Sequence, residues 1–141
     1  MKVGDFLTTH TLAKDYFLRC QMRLVALRTL FHQGAYPDVV RESQEIIELL
    51  LKEFLRHHKI DPPKWHDVSQ ILVDNATLFS PQIQKSLPEL AEFSKYLRRE
   101  RENAFYGEDD LIPLEHYDEK TAEKCLHKVD MYIQLFQSEF Q

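Results

Sequence analysis

Glycine is scarce in this chain, with three in 141 residues at Gly4, Gly34 and Gly107. So few positions that tolerate left-handed backbone argue against a fold made of short strands and tight turns, and favour helices. The six prolines fall mostly between apolar segments, where they punctuate the chain. Two cysteines, Cys20 and Cys125, are too few for a disulfide framework. Each lies in an apolar-periodic segment, so both are expected to be buried free thiols. No apolar run is long enough to span a bilayer, since the longest, from Ile46 to Leu55, is broken by Glu48, Lys52 and Glu53. Met1-Lys2-Val3-Gly4-Asp5 lacks the apolar core of a secretory signal, so a cytoplasmic protein with no membrane association is expected. Positive charge is not in excess either. A net charge of −5 argues against indiscriminate binding of nucleic acid or membranes, while leaving room for a local basic patch.

What is present is ordinary for one folded domain over residues 1–141: 43 % hydrophobic and 29 % charged residues, enough to bury a core without staples. Apolar positions recur at helical spacing. A first helix is predicted from about Thr9 to Gln33, with Leu12, Phe17, Cys20, Leu24, Leu27 and Phe31 as its stripe. Thr8 or Thr9 would cap it and Gly34 would end it. Pro37 opens a second helix, which runs to about His57. Val39, Val40, Ile46, Ile47, Leu50 and Phe54 share one face, and Leu49, Leu51 and Leu55 widen it. Only a narrow charged stripe remains: Arg41, Glu45, Glu48, Lys52 and Arg56. A helix this apolar belongs at the centre of a bundle.

Asp61-Pro62-Pro63 interrupts the pattern, and a short helix follows from about His66 to Ala76. Ser80-Pro81 opens a fourth helix that reaches about Tyr106, with Pro88 either kinking it or marking its true start. Gly107 stops it, and an acidic loop with Pro113 follows. A last helix begins near Asp118, facing Ala122, Leu126, Val129, Ile133 and Phe136 inward. The expected fold is all-α, an up-and-down bundle of about five helices.

The chemistry concentrates at the end of the fourth helix. In projection, Arg98 and Arg101 continue the face of Leu87, Leu90, Ala91 and Phe105. A guanidinium on an inward face needs a carboxylate, a carbonyl or an anion. Tyr96, Arg99, Asn103 and Tyr106 fall on the neighbouring stripe by steps of three and four. Together these side chains fit a polar cleft for phosphate or a nucleobase. The plainer reading is a solvated helix end, with Glu100 and Glu102 pairing locally. Glu48 and Lys52 make an ordinary i,i+4 pair, or else Glu45 or Glu48 holds the arginines. No HExxH, Cys/His ligand spacing, phosphate loop or nucleophile elbow is present, so neither a metal site nor a cofactor is predicted.

Taken in order, these segments resemble the HEPN domain family. Gly34-Ala35-Tyr36 is similar to its Gly-x-Tyr turn. Glu45, Glu48 and Lys52 resemble its second-helix pattern, and His66-Asp67-Val68 the start of its short third helix. Arg101-Glu102-Asn103-Ala104-Phe105-Tyr106-Gly107 is similar to its arginine segment. Asp118-Glu119-Lys120-Thr121-Ala122-Glu123 resembles the opening of its final helix. The resemblance runs from about Leu12 to Phe136. It implies a helical bundle, commonly a homodimer. Ribonuclease members of the family carry an arginine, a polar residue, a short spacer and then a histidine, and cleave RNA without metal in the dimer cleft. Here the spacer after Arg101 leads to Tyr106, Gly107 and Glu108, with no histidine. His116 lies beyond the acidic loop.

Imidazole moves protons near neutral pH, whereas tyrosine, with a pKa near ~10, is a poor substitute and arginine cannot act as a base. The expected function is therefore a non-catalytic, HEPN-like dimeric module that binds a nucleotide, RNA or a partner protein through an arginine-lined cleft. The candidate ligand residues are Arg98, Arg99, Arg101, Asn103, Tyr106, Glu45, Glu48, Lys52 and His66. The resemblance also implies a minimal nucleotidyltransferase as partner, with Tyr106 as an acceptor of modification. Two alternatives stand beside this. One is a metal-independent RNA endonuclease toxin of a toxin–antitoxin pair, with His66 or His116 displaced into the cleft. The other is a purely structural dimerisation module.

Overall fold

The computed structural model describes residues 3–64, 67–107 and 111–140, with side chains from Leu12 onward. It contains α1 (Val3–His32), α2 (Tyr36–His57), α3 (Val68–Asp74), α4 (Pro81–Phe105), α5 (Pro113–His116) and α6 (Glu119–Gln137). Single 3-10 turns occupy Ala76–Leu78 and Ser138–Phe140. There is no strand among the described residues. The fold is an all-α bundle, as the helical periodicity predicts. The helix beyond the five expected, α5, is a single turn opened by Pro113 inside what the sequence reads as a loop.

The helix ends follow local chemistry. After α1, Gly34 adopts φ +75°, its N–H donates to Phe31 O at 3.0 Å, and Ala35 N–H donates to Leu30 O at 3.0 Å. That pair of bonds is a Schellman ending, which turns the chain straight into α2. Pro37 lies in the first turn of α2. Ser80 Oγ accepts from Ile83 N–H at 3.4 Å to cap α4, and Asp118 Oδ1 accepts from Thr121 N–H at 2.8 Å to cap α6. Pro88 lies inside α4, on its exposed side, and the helix runs through it, so it is not the helix start. Gly107 ends α4 at φ +71°, and a Cβ there would sit 2.8 Å from both Leu111 O and Pro113 Cδ. The chain turns so closely at this point that only glycine fits.

α1 begins at Val3, upstream of the predicted cap, and the side chains of Thr8 and Thr9 lie outside the described ones. Its buried stripe is Ala13, Phe17, Cys20, Leu24 and Leu27, whereas Leu12 is 42 % exposed. The step from Leu12 to Phe17 is five residues and leaves the face, while Ala13 to Phe17 is four and keeps it.

α2 is the central helix and packs on α1, α4 and α6, while α3 lies against α2 and α4. Leu50, Leu51, Phe54 and Leu55 are all fully buried within one chain. The wide apolar face is therefore consumed by the bundle itself and carries no argument for a dimer. Around Phe54 lie the rings of Phe136 at 4.6 Å, Phe79 at 4.8 Å and His58 at 4.6 Å. Both cysteines are buried and unpaired. α4 and α6 scarcely touch, which leaves a furrow between them. No helix among the described residues is long and apolar enough to cross a membrane.

Candidate functional site

The last two turns of α4 form one wall of a groove of about 460 Å³. Arg98, Arg99, Arg101, Asn103 and Tyr106 line it, so the structure brings together five of the residues that the sequence singles out. α2 forms the opposite side with Arg41, whose guanidinium lies 4.5 Å above the centre of the Phe105 ring. Arg41 belongs to the charged stripe of α2, one turn before Glu45, and that i,i+4 step is the signal that would have found it.

The arginines are not inward-facing. Arg98 and Arg101 are 41 % and 48 % exposed, and Phe105 is also out in solvent. The buried line of α4 passes through Leu90, Ser94, Leu97 and Ala104, so the projection that put Phe105 on the core face is off by one residue. The charges therefore stand at the rim of the core, where water solvates them, and no buried unpaired charge arises.

Their partners come from other helices. Arg101 Nη2 meets Glu45 Oε1 at 2.7 Å, as one of the two sequence readings anticipates. Arg98 Nη1 lies 3.4 Å from Asp67 Oδ1. Asp67 also caps α3, accepting from Ser69 N–H at 3.0 Å and from Ser69 Oγ at 2.6 Å. Glu48 pairs with Lys52 at 3.4 Å, and neither lines the arginine groove. Local pairing by Glu100 does not occur, because its carboxylate accepts the Tyr117 hydroxyl at 2.7 Å. That bond ties the start of α6 to α4, and together with burial it holds the Tyr117 pKa well above that of free tyrosine. Arg99 makes no ion pair or hydrogen bond among the described residues.

His66 lies outside the described residues. His116 is exposed, packs edge-on against Tyr117 at 4.6 Å and does not line the groove. No group of three or more His, Cys, Asp or Glu side chains among the described residues is placed to hold a metal ion. Among its described lining residues the groove offers four guanidinium groups, an amide, a phenol at its rim and a single carboxylate, Glu102. Such a set binds planar or tetrahedral oxyanions through paired N–H donors, with aromatic faces beside them for a base.

A family model of the HEPN domain matches residues 13–139 of the chain, nearly all of it. Comparison with curated proteins and with solved structures found no match.

Proposed function

Since the chain belongs to the HEPN domain family, we propose that it is a non-catalytic module, binding a nucleotide or RNA through the arginine groove at the end of α4. The observation that carries this is Arg99, a guanidinium with no ion-pair partner among the described residues, between two paired ones, in a groove whose described lining holds one carboxylate. Arg98 and Arg101 are pre-oriented by Asp67 and Glu45, which lowers the ordering needed on binding. Arg99→Ala is expected to weaken nucleotide or RNA binding about 10- to 100-fold, the range for one lost charge-assisted contact. Its melting temperature should stay unchanged. Arg101→Ala should lower stability by only ~0.2–1 kcal/mol, because its pair with Glu45 is half in solvent. Binding titrations that leave the Arg99→Ala affinity at the wild-type value would overturn the proposal.

The purely structural alternative asks for neutralised, buried arginines, and it is disfavoured by their exposure. The ribonuclease alternative needs an imidazole in the groove, and none of the described lining residues supplies one. Incubation with RNA in the presence of EDTA is accordingly expected to leave the RNA intact. Cleavage that disappears in Arg101→Ala would restore the enzyme reading.

We further propose a cytoplasmic homodimer. With α2 spent inside the bundle, the support comes from exposed apolar side chains: Phe105 (48 % exposed), which lines the groove, and Ile112 (56 %) and Leu114 (70 %) at the start of α5. Light scattering should give twice the mass of the chain, and a monomer at micromolar concentration would refute this.

A second reading is favoured by one feature. Tyr106 is 77 % exposed at the groove rim. A minimal nucleotidyltransferase partner, which the family resemblance suggests, would find its phenol accessible, with arginines beside it to hold the incoming phosphate. Co-expression with such a partner should add a nucleotidyl mass that Tyr106→Phe abolishes.

A further inference from the structure

The furrow between α4 and α6 encloses about 570 Å³, more than the arginine groove. Phe93, Tyr96 and Cys125 line it, and Lys95, Arg99, Lys124 and Lys128 supply four cations against the two carboxylates Glu89 and Glu92. One carboxylate is already engaged, since Glu89 lies 3.5 Å from Lys128 Nζ, which also sits 5.2 Å above the Phe93 ring. Lys95, Lys124 and Arg99 have no carboxylate partner among the described residues. In a protein of net charge −5, a concave surface with three cations that lack a carboxylate partner among the described residues, beside the half-buried ring of Tyr96, is not the average surface. Nor is it a reactive pocket. Burial pushes the Tyr96 hydroxyl and the Cys125 thiol up to about 12, so both are neutral at physiological pH.

Arg99 lines both this furrow and the arginine groove. The α4 stripe that joins them is Tyr96, Arg99, Asn103 and Tyr106, on steps of three and four residues. From Glu89 to Tyr106 the two cavities follow α4 for ~26 Å, at 1.5 Å per residue. A mononucleotide would occupy only a small part of that length. A single strand would place successive phosphates along the cations, with bases free to lie on Tyr96 or Tyr106.

We propose that the α4–α6 furrow continues the arginine groove as one track for single-stranded nucleic acid, with Lys95 and Lys124 contacting phosphates beyond those held by the arginines. This rests on the proposed phosphate-binding role of the arginine groove and adds the ligand class, an oligonucleotide rather than a mononucleotide. A base-stacking, backbone-tracking site of this kind is sequence-tolerant and sensitive to salt.

The test uses the full chain, with fluorescence anisotropy of end-labelled oligouridylates of ~4 and ~12 nucleotides, lengths that bracket a short single-strand site. The longer strand should bind about tenfold or more tightly than the shorter one. In the double variant Lys95→Gln/Lys124→Gln that advantage should vanish, while the affinity for the short strand stays the same. The slope of log K against log salt for the long strand should become shallower by ~1.4, at ~0.7 per lost contact on a single strand. Both lysines are exposed, so a matching melting curve will verify that the variant is folded. A length advantage that survives the double substitution overturns the inference, as does polyglutamate competing as well as the oligonucleotide. Equal affinity for the two lengths, with Arg99→Ala still weakening both, overturns the track and leaves the arginine groove standing. If neither strand binds, both readings fall.

Discussion

Phe54→Ala is expected to lower the stability of the domain by about 3–5 kcal/mol, the range for deleting a fully buried aromatic ring. Phe54 has no exposed surface and stands where α2 meets α6 and both 3-10 turns. Its ring packs edge-on to Phe136 at 4.6 Å, tilted against Phe79 at 4.8 Å and near Phe140 at 6.1 Å. Removing it therefore unpacks the two chain segments that close the bundle, as well as opening a cavity. The neighbouring rings come from separate elements and cannot all shift into one void without losing their own contacts. For a domain of this size the melting temperature should fall by ~10–20 °C. Phe54→Leu keeps most of the volume and should recover more than half of the loss. A fall of under ~1 kcal/mol for Phe54→Ala would mean that the ring cluster is not the centre of the core.

The second large effect is electrostatic and lies at the neighbouring position of α2. Glu53 is 1 % exposed, and its carboxylate is held by Arg56 one turn later. Its second oxygen, Oε2, makes no hydrogen bond among the described residues. Burial raises the Glu53 pKa above the ordinary carboxylate range, and Arg56 opposes that shift only in part. Arg56→Ala should lower stability by about 2–3 kcal/mol at neutral pH, by orphaning a buried charge. The figure sits at or below the low end for buried pairs because Arg56 is itself 40 % exposed.

The pH dependence has a definite sign. The folded state binds the Glu53 proton more tightly than the unfolded one, so this group's contribution to stability is fully present below its unfolded pKa. That contribution is lost as pH rises through the raised folded pKa. Without Arg56 the folded pKa rises further. The deficit of Arg56→Ala relative to wild type should therefore be greatest at neutral pH and vanish in acid, where Glu53 is protonated in both. Thermal melts across about pH 4 to pH 8 read this directly. A deficit independent of pH would assign Arg56 a packing role instead. Glu53→Gln, which removes the charge and keeps the shape, should be as stable as wild type at neutral pH or more so.

Glu53 also illustrates what a linear reading misses. In the chain it is one of three charges interrupting an apolar run, indistinguishable from Glu48 and Lys52. Those two are half-buried and pair with each other at 3.4 Å, while Glu53 faces α1 and lies close enough to Cys20 to influence its thiol. Leu12 and Phe105 fail for the same reason. Each is apolar and within a residue of the true buried line, and a helical projection cannot choose between adjacent positions without the neighbouring helix. Conversely, Gly34, Pro37, Ser80, Gly107 and Asp118 act as the sequence implies, because helix ends are decided by a residue's own backbone preferences and its nearest N–H groups.

By itself, then, the sequence determined the all-α class, the helix boundaries to within a few residues except at the start of α1 and at α5, which it read as loop, the central place of α2 and the gathering of Arg98, Arg99, Arg101, Asn103 and Tyr106 on one helix end. These follow from periodicity and capping, which act over a few residues. Tertiary structure decided everything that depends on which helices become neighbours. It set Arg101 against Glu45 and Arg98 against Asp67, left Arg99 without an ion-pair partner among the described residues, brought Arg41 to the groove, and kept α4 and α6 apart so that Lys95 and Lys124 line one furrow. Charge pairing reaches only a few ångströms in space, and residues as far apart in the chain as Glu45 and Arg101 meet only once the bundle has packed.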